Sequence, residues 1–292
     1  MLTLFLRLWR FRGDKRSCQP PLRIAEKGVT DLRVSCLQMN MRLGFPDENF
    51  AHATDLIHAA MVAKPDVLVL PETWNTGFFP KENLSQLSDR DGELTKVRIG
   101  ALAKQHQVNI VAGSVSNVRN GKVFNPAMVF DRSGACVASY DKTHLFSPMG
   151  ENDYYTPGDH LCTFSLDGIH CGLVICYDIR FPELARSLAL QGIDVLFVVS
   201  QWPKERIRHL HSLATARTVE NQMFAVCCNS CGTAGETIYG GNSTVIDPLG
   251  KTLTLAGGTE VIVSASLDMQ TLGKIRGSIP VFRDRRPKLY QL

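Results

Sequence analysis

No apolar run in this chain approaches the roughly 18 residues that a membrane-spanning helix needs, so no stretch reads as a transmembrane segment. Charge of one sign is scarce too. The 32 basic and 28 acidic side chains leave a net +4. Residues 1–30 hold seven basic against two acidic groups, an excess of +5, so the rest of the chain carries −1. A near-neutral body argues against a nucleic-acid surface. Internal repeats and low-complexity linkers are missing. Disulfide-like spacing is missing as well: nine cysteines, an odd number, are scattered over 292 residues. That pattern suits a reducing, cytoplasmic setting. One C-x-x-C pair exists, Cys228 and Cys231. It lies in an apolar, strand-like run, and no second pair or histidine cluster completes a zinc set.

What is present is an ordinary globular composition, 44% hydrophobic and 21% charged, within the range of soluble domains. The basic stretch 1–30 stands apart. Arginines interrupt its apolar residues by Arg7, so it lacks the apolar core of a secretory signal. It reads as a disordered extension ahead of a domain over 31–292, although an arginine-rich, acid-poor segment also suits a transit peptide or a membrane-surface helix. Beyond it, strand and helix signals alternate. Strands are expected over 32–39, 67–70, 108–115, 127–130, 135–140, 195–199 and 224–228. Helices are expected over 46–63, 93–105 and 206–221. Asn120-Gly121 marks a hairpin. A late hairpin is expected to pair 243–246 with 261–265 around the turn at 247–250. Buried strands mixed with hairpins and helices imply helix-covered sheets in one α/β domain.

The chain is organised around GIHCGLVICYDIRFPE, residues 168–183. Residues 169–175 form a short apolar run rich in β-branched side chains, the mark of a strand buried on both faces. Pro182 sits where a helix starts, with Leu184, Ala185, Leu188 and Ala189 at helical spacing and Gly192 closing it. Cys176 therefore falls at a strand-to-helix turn, where a side chain reaches a cleft from a fixed backbone. Glu72 and Lys142 also follow the ends of expected strands, where sheets present sites. Together the three have a coherent chemistry. A thiol with an ordinary pKa of about 8.5 needs a base or a positive neighbour to act near neutral pH. Glu72 can take the proton and Lys142 can supply the charge.

Three segments, LVLPETWNTGF, YDKTHLFSPMGE and GLVICYDIRFPELA, resemble in order the signature segments of the carbon–nitrogen hydrolase (nitrilase) superfamily. With SQWP and ARTVEN the resemblance runs from about residue 31 to the end. It implies a four-layer αββα sandwich, pairing of subunits into a homodimer or higher homo-oligomer, and a reaction without metal or organic cofactor. It assigns Cys176 as nucleophile, Glu72 as general base, Lys142 as oxyanion-stabilising cation and Glu151 as the second glutamate that orients the lysine or the substrate. The wording of the segments is most similar to omega-amidase-like members, which implies water and the ω-amide of a small 2-oxo acid as reactants. An N-carbamoyl amidohydrolase or nitrilase of the same superfamily stays open, as does a thiol- or metal-binding protein without activity. Tyr177, next to the nucleophile, offers its backbone N–H to the oxyanion. Arg180 suits either a substrate carboxylate or a structural ion pair. Trp74, Phe79 and Trp202 follow expected strand ends and are candidate pocket residues. His209 and His211, two apart on a helix, face different sides and read as structural.

Overall fold

The computed structural model describes residues 31–78 and 80–290. The extension 1–30 and the expected pocket residue Phe79 lie outside the described residues. Two six-stranded sheets face each other. The first has the order Val261–Asp268, Asp31–Gln38, Val67–Val69, Asn109–Ser114, Pro126–Phe130, Cys136–Asp141. The second has the order Thr252–Leu255, Thr244–Ile246, Phe224–Asn229, Val195–Ser200, Ile169–Ile175, Thr163–Leu166. Parallel pairs form each centre and antiparallel strands close each edge. Buried centres explain why these strands read as unbroken apolar runs.

Strand alternation sorts the core. Leu32, Val34 and Cys36, with Val67 and Val69, point between the sheets. Leu37, Leu68, Leu70, Ile110 and Ala112 point the other way, onto Phe50, Ala53 and Ile57 of the helix Pro46–Ala60 and Ile99, Leu102 and Ala103 of the helix Glu93–His106. The helices Pro182–Leu190 and Ile207–Asn221 cover the second sheet through Leu184, Leu188, Leu210 and Ala214. Four layers, αββα, result, as expected.

Most expected boundaries agree within one or two residues. The late hairpin does not. The turn at 247–250 leads into Thr252–Leu255, which pairs with Thr244–Ile246. Val261–Asp268 instead crosses to the first sheet and runs antiparallel to Asp31–Gln38 over eight residue pairs. Thr252–Leu255 alternates threonine and leucine on an exposed edge, so it carries no apolar run to announce it. Gly113, in the left-handed region, lets two backbones meet before the first candidate site residue. A Cβ there would lie 2.0 Å from the carbonyl oxygen of Pro71.

Candidate active site

Each sheet delivers part of one site at its strand ends. After Val67–Val69 the chain turns through Pro71 and Glu72, and Ser114 fastens the turn. Ser114 N donates to Pro71 O (3.0 Å), Trp74 N donates to Ser114 O (3.2 Å), and Thr73 N donates to the Ser114 hydroxyl (3.0 Å). Lys142 is the residue after Cys136–Asp141. Cys176 follows Ile169–Ile175 and opens a 3-10 turn, Cys176–Arg180. The helix begins at Pro182, so the thiol sits in the strand-to-helix turn, as expected. Thr73 (φ 42°) and Cys176 (φ 47°) both occupy the left-handed region, which non-glycine residues hold only when the surroundings over-determine it.

The floor is ionic and dry. Glu72, Lys142 and Glu151 side chains pack without solvent exposure. Lys142 Nζ donates to Glu72 Oε1 (2.8 Å) and to both oxygens of Glu151 (2.9 and 2.8 Å). Gln201 N donates to Glu72 Oε2 (2.8 Å), and Phe146 N donates to Glu151 Oε2 (2.6 Å). Asn125 Nδ2 bridges the two carboxylates at 3.0 and 3.4 Å. Burial pushes the Cys176 thiol well above its ordinary value and the Glu72 charge adds to this, while Lys142 opposes both. Burial would lower the Lys142 ammonium, but Glu151 and Glu72 raise it well beyond the usual lysine range. Burial also raises the Glu151 carboxyl against the pull of Lys142. Burial thus opposes charge on both the thiol and the Glu151 carboxyl, and Lys142 favours it.

Asp178 ties the pieces together. Its buried carboxylate accepts from Tyr140 Oη (2.8 Å), Thr143 Oγ1 (3.0 Å), His144 N (2.9 Å) and Ile175 N (3.0 Å), and pairs with His144 Nδ1 (2.8 Å). The Lys142 loop and the Cys176 turn are therefore pinned to one another. Arg217 adds a brace, donating twice to Ile179 O (3.1 and 2.9 Å).

The mouth is aromatic and cationic. A narrow cleft is lined by Cys176 and Tyr177, by Phe78, Phe146 and Trp202, and by Arg180, Gln201 and Arg206 among others. Tyr177, Arg180 and Trp202 thus reach the cleft as expected. The Arg180 guanidinium lies 4.9 Å from the Trp202 ring centre and donates to His209 Nδ1 (3.3 Å). His209 therefore steadies Arg180, and His211 Nε2 donates to Asn242 O (3.0 Å). Trp74 corrects its expectation. It is packed edge-on against Phe50 (4.7 Å) with its indole N–H donated to Ala112 O (2.6 Å), within the helix-side core and away from the cleft. The bend at Thr73 turns it there, and Phe78 supplies an aromatic wall instead. Cys228 and Cys231 lie on separate strands, their thiols directed at backbone carbonyls. Sequence reasoning passed over Asp178, Asn125, Gln201 and Arg206. Asp178 stood inside the CYDIR segment and Arg206 four residues after Trp202, but nothing in one sequence shows which polar groups a fold brings inward.

Known proteins of one family match the chain over most of its length. The profile of the family described as carbon-nitrogen hydrolase matches residues 33–277. The 2-oxoglutaramate amidase of Bacillus subtilis is 42% identical over 257 residues, 88% of this chain and 98% of that protein. The omega-amidase NIT2 of Homo sapiens is 30% identical over 275 residues, 90% of this chain and 98% of that one. Among solved structures, a CN-hydrolase superfamily protein of Xanthomonas campestris, with an arsenic adduct in its active site, superposes with a TM-score of 0.82 at 28% identity, over 88% of this chain and 98% of that chain.

Proposed function

The chain belongs to the carbon–nitrogen hydrolase family, and from that premise we propose that it hydrolyses the ω-amide of a small 2-oxo dicarboxylic acid to the diacid and ammonia through a cysteine thioester. The observation that carries this reading is the pairing of the cleft's two ends. A thiol lies over a buried Glu–Lys–Glu cluster, and among the described residues the mouth above it holds arginines and no acidic side chain. The relatives named as 2-oxoglutaramate amidase and omega-amidase support the same substrate class.

In this reading Cys176 Sγ attacks the amide carbonyl while Glu72 takes the thiol proton. Lys142 and the backbone N–H of Tyr177 stabilise the oxyanion. Glu151 holds Lys142 with both oxygens, so one of the three ammonium N–H groups can turn to the oxyanion without breaking the pair. Collapse breaks the C–N bond, Glu72 returns the proton to the leaving nitrogen, and ammonia departs from a thioester. Glu72 then draws a proton from water, which attacks the thioester and releases the acid and the thiol. The Gln201 side-chain oxygen is buried without a hydrogen-bond partner beside the cleft and suits the N–H of an incoming amide. The eight described cysteines are free thiols, which supports a cytoplasmic setting. No helix among the described residues is long and apolar enough to cross a membrane. Pairing of subunits into a homodimer completes the reading.

The test is an ammonia-release panel at fixed enzyme: 2-oxoglutaramate, 2-oxosuccinamate, glutamine, a neutral aliphatic amide, an N-carbamoyl amino acid and an arylnitrile. The 2-oxo amides are expected to lead by kcat/KM. A win for the carbamoyl compound or the nitrile would overturn the substrate and leave the thiol chemistry in place.

A further inference from the structure

We propose that Arg206 is a second specificity-determining cation, which binds the substrate carboxylate together with Arg180 and turns away amides that carry an ammonium group. The inference rests on the anionic substrate proposed above and adds a residue that the signature segments do not contain. Arg206 ends the 3-10 turn Lys204–Arg206 and lines the cleft that holds Cys176, as Arg180 does.

Each guanidinium is set against an aromatic face, Arg180 at Trp202 (4.9 Å) and Arg206 at Phe146 (5.4 Å). Such faces leave the planar edge, with its N–H donors, free to meet a ligand. Among the described residues neither arginine has a carboxylate partner. The described residues lining the cleft include no aspartate or glutamate, and the two site carboxylates beneath are unexposed and held by Lys142. The position of Arg206 is fixed from below, since Trp202 Nε1 donates to its backbone oxygen (2.7 Å). Trp202 thus carries one arginine on its ring and anchors the turn of the other.

Two half-buried guanidiniums without a counter-ion call for an anion, and carboxylate is the planar acceptor that matches their geometry. The same pair discriminates. A 2-oxo amide presents one carboxylate and a neutral carbonyl. The corresponding amino-acid amide presents that carboxylate beside an ammonium, which here meets two like charges and no acidic partner. Selection against glutamine then follows from repulsion as well as from fit.

Two measurements on the purified full-length protein test this. In the first, glutarate protects Cys176 from iodoacetamide, followed by peptide mass spectrometry. The protecting concentration is expected to rise by about tenfold or more in Arg206→Gln and by less in Arg206→Lys, because ammonium keeps the charge but not the fork. In the second, KM for 2-oxoglutaramate is expected to rise about tenfold in Arg206→Gln with kcat within about threefold, and the preference over glutamine to shrink by a similar factor. Unchanged protection and KM would overturn the proposal. So would a fall in kcat shared equally by 2-oxoglutaramate and pentanamide, which marks a structural role. A wild-type enzyme that ignores 2-oxoglutaramate would refute the proposed substrate alone, because glutarate protection still reports on Arg206.

Discussion

The floor and the mouth of the cleft spend charge in opposite ways. At the floor, Glu72, Lys142 and Glu151 are sealed from solvent and every ammonium proton has a carboxylate oxygen. At the mouth, Arg180 and Arg206 are half-exposed and lean on aromatic rings. A sealed, fully paired cluster cannot choose among ligands, but it can shift protons at fixed positions. An open, unpaired cation does the reverse. The division predicts that changes at the floor act on kcat and on folding, whereas changes at the mouth act on KM.

The largest effect is expected from Cys176→Ala. Turnover falls by at least about 10⁴-fold, since in the proposed covalent mechanism loss of the nucleophile leaves only binding and electrostatics. Stability changes little, because only one sulfur atom is lost and the turn stays pinned through Asp178. Residual activity near that of the wild type would remove the distinction between floor and mouth altogether.

Lys142→Met is the next largest and affects both activity and folding. Loss of the cation is expected to lower kcat by about 10²–10³-fold. It also leaves two carboxylates facing each other without solvent, a loss of about 3–5 kcal/mol of stability near neutral pH. The pH dependence has a definite sign. Without Lys142 the Glu151 carboxyl, which burial already raises, loses the cation that holds it down and moves further up. A raised group contributes stability below its unfolded pKa of about 4.3 and loses it as pH rises through the folded value. Urea midpoints at pH 5 and pH 8 should therefore show the variant nearer to the wild type at pH 5. In the double variant Lys142→Met/Glu151→Gln the gap at pH 8 should narrow while activity stays low. A gap independent of pH would mean that Lys142 packs rather than neutralises.

The strands that hold these residues were legible because burial on both faces writes itself as an apolar run. Ile169–Ile175 and the start of the following helix at Pro182 could be placed to the residue. Glu72, Lys142 and Cys176 could be gathered because each follows such a run. Edge strands were harder, since Thr252–Leu255 is exposed and Thr163–Leu166 is short and mixed. The crossing of Val261–Asp268 to the far sheet is a long-range choice that no local pattern encodes. The polar residues that set the site suffer from the same limit. Asp178 meets donors 34 to 38 residues earlier in the chain, and Asn125 meets Glu72 across 53. Only the fold makes them neighbours.

Asp178→Asn probes the joint between the two loops and should rank third. One oxygen of Asp178 serves Tyr140 and Ile175 N, the other serves Thr143 and His144. An asparagine must present its amide N–H₂ to one of these donor sets, so hydrogen bonds to a charged acceptor, worth about 1.5–3 kcal/mol each, are lost on one side. We expect a lowered Tm and a fall in kcat of about tenfold, with KM nearly unchanged because the mouth is not touched. A change in KM alone would place Asp178 with the mouth and blur the boundary.

The smallest effect is expected at Trp202, where the mouth can be altered by a single N–H. Trp202→Phe keeps an aromatic face for Arg180 but removes the donor that holds Arg206 O at 2.7 Å. One neutral hydrogen bond is worth about 0.5–1.5 kcal/mol, and a phenyl face attracts a cation somewhat less than indole does, by a fraction of the 0.5–1 kcal/mol typical of exposed pairs. The sum corresponds to a rise in KM of about three- to tenfold for an anionic amide, with kcat preserved. Trp202→Ala, which removes the platform as well, should raise KM further and still leave the iodoacetamide reactivity of Cys176 in the absence of ligand within about twofold, because no floor residue takes a bond from the indole. If either variant instead depressed kcat on anionic and neutral amides alike, the Trp202 loop would be transmitting strain through Gln201, whose backbone N–H holds Glu72 at 2.8 Å, and the floor and mouth would have to be treated as one coupled unit.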